Sequence, residues 1–478
     1  MSRYLLLLAL TAASAAMLPR APDADTDADA NAGAAVAAAL VAARDSRTPG
    51  LVSFPIVERR ELKGPATRLE PRRNNEVLHN MGNVAFMIPL MIGLPQQMVR
   101  LELDTGSSEM WVNPNCSTVV DEASQELCES VWPFEPSESI SLVNTNESTV
   151  LEYKRGKAEV EYVLDDVAMT DWATNKGEAL KNMKFGVALA SDDAPVPICG
   201  VGFGNNYNLK YNNFVDELML QGFTNSRTIS LVLGAVIQPF VNGSTLEDWP
   251  GTVIFGGIDT RLFVGPLYKF NNLPPQADDP GQPWRYWIQM DSVGFNKADT
   301  KVASTYKNSS VAVVLDSGST FSYLPQNIID DLAKSFGAEA QSDGSLIVDC
   351  AISRDAGFID FTFGELLISI PLYALIWQAA SGLCYVAALP STSSVSLLGN
   401  TFLIWVYVLF DQDHQHIYMA RALSCGSNMQ ALSGDGDYNF TGLCNWTPVA
   451  AAAAASLAPF SAMALLALVG VQALLSWL

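Results

Sequence analysis

Two aspartates stand out by what surrounds them. Asp104 opens the run Asp104-Thr105-Gly106-Ser107-Ser108, and Asp316 opens Asp316-Ser317-Gly318-Ser319-Thr320. Each follows a strand-like stretch, the alternating Val99 to Leu103 and the apolar Val311 to Leu315, so each carboxylate stands where a strand enters a tight glycine turn. They lie 212 residues apart, as one element would in two copies of a lobe. Two carboxylates brought face to face cannot both ionise easily. One keeps a proton, the other loses it, and a water held between them becomes a nucleophile. Such a pair supplies both the base for water and the acid for a leaving group, and it requires no metal.

The elements that would carry these turns are short strands. Val84 to Ile92, Val160 to Val167, Ile229 to Leu233, Thr252 to Phe255, Val311 to Leu315, Phe358 to Phe363 and Trp405 to Phe410 read as strands between Gly, Pro, Asn and Asp turns. Helical stretches are confined to Asn213 to Gln221 and Gln326 to Phe336, which predicts an all-β architecture with small helices. Each aspartate is followed, later in the chain, by an apolar–apolar–Gly element: Ile198-Cys199-Gly200, then Leu397-Leu398-Gly399.

In this double pattern the chain resembles the pepsin-like aspartic endopeptidases. Gly93-Leu94-Pro95-Gln96-Gln97 is similar to that family's first hairpin, and Trp111 stands where the family has its tryptophan. Phe134-Glu135-Pro136-Ser137, Phe255-Gly256-Gly257-Ile258-Asp259, Leu398 to Leu403 and Val408 to Asp411 are further landmarks, so the likeness spans most of residues 84–424. A hydrophobic C-terminal tail makes the fungal yapsin-type, lipid-anchored proteases the nearest resemblance.

The resemblance implies a bilobal fold of two pseudo-two-fold related β-lobes with the active site in the cleft between them, no cofactor, no metal, and protein or peptide substrates cut by a monomer. It implies Asp104 and Asp316 as the catalytic pair. Ser107 and Ser319 (or Thr320) would orient the carboxylates, Thr105 and Ser317 would bond across the lobes, and Gly106 and Gly318 would complete the turns. The two apolar–apolar–Gly elements would cross beneath the turns. Tyr153, in Leu151-Glu152-Tyr153-Lys154-Arg155-Gly156, is the expected flap tyrosine over bound peptide, braced by Trp111, with Gly156 closing the hairpin. The chain departs from the family in Lys154, where Gly usually follows the tyrosine, and in Asn400, where Asp often follows Leu-Gly; the pH optimum is therefore not transferable from pepsin. A catalytically silent pepsin-like binding protein is the competing reading, and the intact Asp and Gly of both motifs weigh against it.

Composition bounds the partners. The formal charge is −22, with residues 1–73 at +2 and the remainder at −24. So acidic a body argues against nucleic acid and suits a protein that stays soluble when its carboxylates protonate. Residues 1–16 read as a signal peptide, with Arg3, an apolar run from Tyr4 and a small-residue end at Ala16, against a retained signal anchor. Residues 17–73 read as a pro-segment outside the compact core. Its half from Arg44 to Arg73 has eight basic and four acidic residues, able to lie over an acidic cleft, with dibasic pairs at Arg59-Arg60 and Arg72-Arg73; the alternative is a disordered basic linker. Residues 74–258 and 259–424 are expected as the two lobes and 425–447 as a polar tail. Residues 448–478, apolar or small with a core at Leu465 to Leu475, are expected as a glycosylphosphatidylinositol-anchor signal, against a plain membrane span.

Seven cysteines in a secreted chain should mostly pair. Local spacing suggests Cys116–Cys128 and Cys350–Cys384, both at positions where pepsin-like enzymes carry disulfides. Cys425–Cys444 would tie down the tail, and Cys199 remains as a buried thiol. Six Asn-x-Ser/Thr sites, at Asn115, Asn146, Asn242, Asn308, Asn439 and Asn445, agree with the secretory route to the cell surface. His414-Gln415-His416 alternates like a metal pair but has no third ligand in view. Asp121, Glu122, Glu126 and Glu129 form an acidic loop, either merely solvated or bordering a subsite for basic substrate residues.

Overall fold

The computed structural model describes residues 52–56 and 85–445, except 119–124, 126–127, 130, 154–155, 169–178, 235–250, 277–282, 298–303, 355–356, 379–381 and 392. The signal peptide, both dibasic pairs, the hydrophobic tail, Lys154, Asn242, Asp121, Glu122 and Glu126 lie outside the described residues.

After strand β1 (Val52–Ile56), the first lobe builds β2 (Met87–Ile92), β3 (Gln97–Asp104), β4 (Met110–Val112), β5 (Val143–Glu152), β6 (Lys157–Ala168), β7 (Leu180–Asp192) and β8 (Ile198–Gly200). These seven form one sheet in the order β2-β3-β8-β4-β7-β6-β5, and β2 also pairs with β6, so the sheet closes on itself. Period-two alternation governs β3: Val99, Leu101 and Leu103 join the main core, and Arg100, Glu102 and Asp104 take the other face.

Helix α1 (Phe214–Leu220) starts at a capping box in which Asn213 and Asp216 satisfy each other's backbone N–H groups. Beyond it come β9 (Thr228–Val232), β10 (Gly251–Phe255), β11 (Gly257–Asp259) and β12 (Phe263–Asn271). The second lobe carries β13 (Trp287–Met290), β14 (Val311–Leu315), β15 (Ser322–Leu324), helix α2 (Gln326–Phe336), β16 (Ala388–Pro390) and β17 (Ser396–Leu398). Its five-stranded sheet runs β13-β14-β17-β15-β16, and two four-stranded sheets complete the lobe. Gly337 ends α2 at φ 59°, a left-handed position that favours glycine.

A further seven-stranded sheet is built from both halves of the chain. Strands β18 (Val406–Asp411) and β19 (His416–Ala422) join β9, β10 and β12, with β21 (Thr441–Leu443) at one edge and β1 at the other. One continuous core runs from Leu103 and Cys199 beneath the first aspartate, through Ile229 and Phe410, to Leu315 and Leu398 beneath the second.

Two segments differ from what their composition suggested. Residues 52–56, within the stretch read as lying outside the compact core, pair antiparallel with β10 from Val52↔Phe255 to Ile56↔Gly251. Their sequence, Val-Ser-Phe-Pro-Ile, alternates at period two, a signal masked by the charged residues that follow. The polar tail is likewise folded onto the body. Strand β20 (Met429–Ala431) pairs with β11, β21 pairs with β12, and Cys425 is bonded to Cys444. Buried Asp259 holds the tail by accepting from Ser427 Oγ at 2.7 Å and Asn428 N at 2.8 Å.

Candidate active site

The two aspartate turns are near copies in space. Asp104 ends β3, which runs parallel to β8 with Asp104 opposite Gly200; Asp316 follows β14, which runs parallel to β17 with Leu315 opposite Leu398. The apolar–apolar–Gly elements do cross beneath the turns. Val201 N donates to Asp104 O at 2.8 Å and Gly200 N to Glu109 O at 2.9 Å. In the second lobe Asp316 N donates to Leu398 O at 3.1 Å and Asn400 N to Ser319 O at 2.8 Å. Glycine is required there: a Cβ on Gly200 would stand 2.6 Å from Glu109 N.

Each carboxylate is gripped by its own turn. Asp104 Oδ1 accepts from Gly106 N at 2.7 Å and Oδ2 from Ser107 Oγ at 2.5 Å. Asp316 Oδ1 accepts from Gly318 N at 3.0 Å and Oδ2 from Ser319 Oγ at 2.8 Å. The carboxylates face each other across the lobes: a Cβ on Gly318 would sit 2.5 Å from Asp104 Oδ1, and one on Gly106 would run into the Asp316 carboxylate. Burial first, and then the charge of Asp316, pushes the Asp104 pKa up; the bonds from Ser107 and Gly106 oppose this.

Thr105 and Ser317 lock the two turns together. Thr105 Oγ1 donates to Leu315 O at 2.9 Å and accepts from Ser317 N at 2.9 Å. Ser317 Oγ donates to Leu103 O at 2.6 Å and accepts from Thr105 N at 3.1 Å. Both side chains are buried. Behind them, Gln412 Nε2 donates to Gly202 O at 3.0 Å and to Tyr286 Oη at 2.8 Å, and Tyr286 Oη donates to Val201 O at 2.6 Å.

The hairpin β5–β6 carries Tyr153 at its tip. Tyr153 N donates to Gly156 O at 3.0 Å, and Gly156 takes φ +77°, where a Cβ would meet Asp192 O at 2.5 Å. The Tyr153 and Trp111 rings lie 6.4 Å apart, and Trp111 is fully buried. Burial, and next the charge of Asp104, pushes the Tyr153 pKa well up. The disulfides Cys116–Cys128 and Cys350–Cys384 are present alongside Cys425–Cys444, and Cys199 is a buried thiol whose pKa burial drives upward. His414 Nδ1 lies 2.9 Å from Asp411 Oδ2 in the β18–β19 turn.

Two carboxyls near the site were passed over in the sequence. Glu109, five residues past Asp104, accepts from Tyr162 Oη at 3.0 Å and from Tyr211 Oη. It thereby joins the first aspartate's loop to the hairpin arm β6, and Lys184 Nζ lies 4.5 Å and 4.7 Å from the centroids of the two tyrosine rings. Glu102, two residues before Asp104, is buried. Its signal was an acidic residue two before Asp104 on an alternating strand, the position that shares a face with Asp104.

Comparison with known proteins agrees with this architecture. The profile of the family described as "Eukaryotic aspartyl protease" matches residues 85–422, and the chain belongs to that family. It is an aspartic endopeptidase by class. Similar curated proteins include a probable aspartic-type endopeptidase opsB of Aspergillus oryzae, 27% identical with 78% of this chain and 76% of the relative covered. Barrierpepsin of Saccharomyces cerevisiae is 27% identical over 72% of this chain and 61% of its own length. The aspartic proteinase MKC7 of the same yeast is 26% identical over 78% and 70%. Among solved structures, the aspartic proteinase from Irpex lacteus shares the fold at a TM-score of 0.55 and 17% identity, covering 78% of this chain and 98% of that one.

Proposed function

We propose that Asp104 and Asp316 are the catalytic pair of this endopeptidase and that it works at acidic pH. The observation that carries the reading is the mutual approach of the two carboxylates, each pressed against the glycine of the other's turn. In that arrangement the pair shares one proton. The ionised carboxylate takes a proton from a water held between them, the water attacks the scissile carbonyl, and the protonated carboxyl donates to the oxygen that develops charge. The proton taken from water then goes to the leaving amine. Ser107 and Ser319 hold the outer oxygens, Thr105 and Ser317 fix the spacing, and Tyr153, braced by Trp111, covers the peptide from the hairpin with Gly156 at its tip.

The lobes are 74–258 and 259–424, and the basic stretch up to Arg73 is a pro-segment lost on maturation. Three disulfides and the Asn-x-Ser/Thr sites support passage through the secretory route. The apolar composition of 448–478 supports a lipid anchor at the cell surface, with cell-surface or secreted proteins as substrates and a monomer as the working unit. A pH profile of kcat/KM on a peptide library tests the core of this reading. It should be bell-shaped on the acid side of neutrality; a rate still rising past about pH 8, where an ordinary carboxyl pair is fully ionised, would overturn it.

A further inference from the structure

Glu109 anchors a polar cluster that the water-activating pair does not use. Its backbone is fixed: Glu109 O accepts from Gly200 N at 2.9 Å, and Trp111, two residues on, is fully buried. The residue is half-buried, and its carboxyl takes one phenol on each oxygen. Tyr162 Oη donates to Oε1 at 3.0 Å, and Tyr211 Oη donates to Oε2. Tyr162 belongs to β6, the returning arm of the hairpin that carries Tyr153, and Tyr211 to the segment leading into α1. The two rings meet edge to face, with centroids 5.5 Å apart.

The outgoing arm is tied to the same point. Register places Glu147 of β5 opposite Tyr162, Tyr162 opposite Gly186 of β7, and Gly186 opposite Trp111 of β4. Lys184 of β7 pairs with Glu147 and holds its ammonium 4.5 Å and 4.7 Å from the Tyr162 and Tyr211 ring centroids. Strand β5 ends its sheet and takes backbone bonds from β6 alone, so these side chains are what fasten both arms to the loop that follows Asp104. Tyr162 and Trp111 share one apolar cluster, and Tyr153 and Tyr211 pack against it.

We propose that Glu109 is a positioning residue: its carboxyl, holding Tyr162 and Tyr211 together, sets where the hairpin bearing Tyr153 stands relative to Asp104 and so how tightly it closes over a bound peptide. This rests on the reading of the cleft as a peptidase site. Glu109 acts through the two tyrosines and exchanges no proton with the substrate. The contacts it supports are made with the peptide before and during the reaction alike, so their loss raises KM and leaves kcat nearly unchanged. Leaving one sheltered phenol without its partner is worth about tenfold.

The test combines steady-state cleavage of one peptide with hydrogen exchange read by mass spectrometry, both on the processed full-length enzyme. Glu109→Ala should raise KM by about tenfold with kcat within about threefold of native, and Glu109→Gln, which keeps one acceptor, should raise it less. Fragments from residues 143–168 should exchange about tenfold faster in Glu109→Ala, while those from the spanning sheet should not change. Tyr162→Phe combined with Tyr211→Phe should reproduce the KM rise and add nothing in the Glu109→Ala background. If Glu109→Ala does not fold, the double tyrosine variant carries the same test. A native KM in the folded variants overturns the proposal, whether or not the hairpin exchanges faster. So does a fall in kcat with KM unchanged, which would place Glu109 in the chemistry itself, and so do tyrosine effects that add in full to those of Glu109→Ala. No cleavage of any peptide by the native enzyme would instead overturn the peptidase reading, and this proposal with it.

Discussion

Replacing Thr105 by valine tests the cross-lobe lock with little change of shape. The substitution removes one buried hydroxyl that serves two backbone groups of the other lobe, Leu315 O and Ser317 N, each 2.9 Å away. Water cannot replace it, because Thr105 is 1% exposed and Ser317 fully buried. A buried donor or acceptor left without its partner costs about 1–3 kcal/mol, so the pair amounts to roughly 2–6 kcal/mol. For domains of about 150–250 residues a kcal/mol lowers Tm by about 2–4 °C, which puts the expected fall at roughly 4–24 °C. The same hydroxyl sets the spacing of the two aspartate turns. Displacement of reacting groups by even 1 Å costs on the order of a hundredfold, so kcat should drop at least about tenfold while KM changes little. Differential scanning calorimetry and steady-state cleavage of one peptide measure both effects. Ser317→Ala removes the symmetry-related hydroxyl from Leu103 O and Thr105 N and should behave alike. A Thr105→Val enzyme that melts with the native protein and keeps its kcat would refute the reasoning.

Further expectations concern pH and the tail. Burial raises the pKa of Asp104, Glu102, Glu109 and Asp411, so the folded protein holds protons that the unfolded chain would release. Their contribution to stability is then fully present below the ordinary carboxyl pKa near 4 and is lost as pH rises through the raised values. Tm should fall between about pH 4 and pH 8, and a Tm that climbs across that range contradicts the assignment. Replacing Cys425 and Cys444 together by serine should cost about 3 kcal/mol, given a separation of 19 residues, because the tail is a paired part of the spanning sheet. An unchanged melting curve for that variant would mean the tail's strands hold without the bridge.

The parts legible in the sequence were those with local signatures. Val311 to Leu315 is a strand with those very ends, and Gln326 to Phe336 a helix with those very ends, because apolar runs and helical periodicity are bounded there by turn residues. The two Asp-x-Gly turns were legible because their geometry leaves few residue types possible. What the sequence hid was long-range. Residues 52–56 form a strand only because β10 offers an edge some 200 residues later, and the polar tail folds only because Asp259 and β12 receive it. Glu102 and Glu109 lacked a motif of their own. Their significance comes from neighbours such as Tyr162 and Tyr211, brought in by sheet closure and by the segment leading into α1.

The most direct test of the account is peptide hydrolysis by Asp104→Asn and by Asp316→Asn, each made in the processed enzyme and checked for folding by its melting curve. Either substitution removes half of the shared-proton pair, so each folded variant should lose at least about a thousandfold in kcat. A folded single variant that retains substantial turnover would show that the chemistry does not run through these two carboxylates.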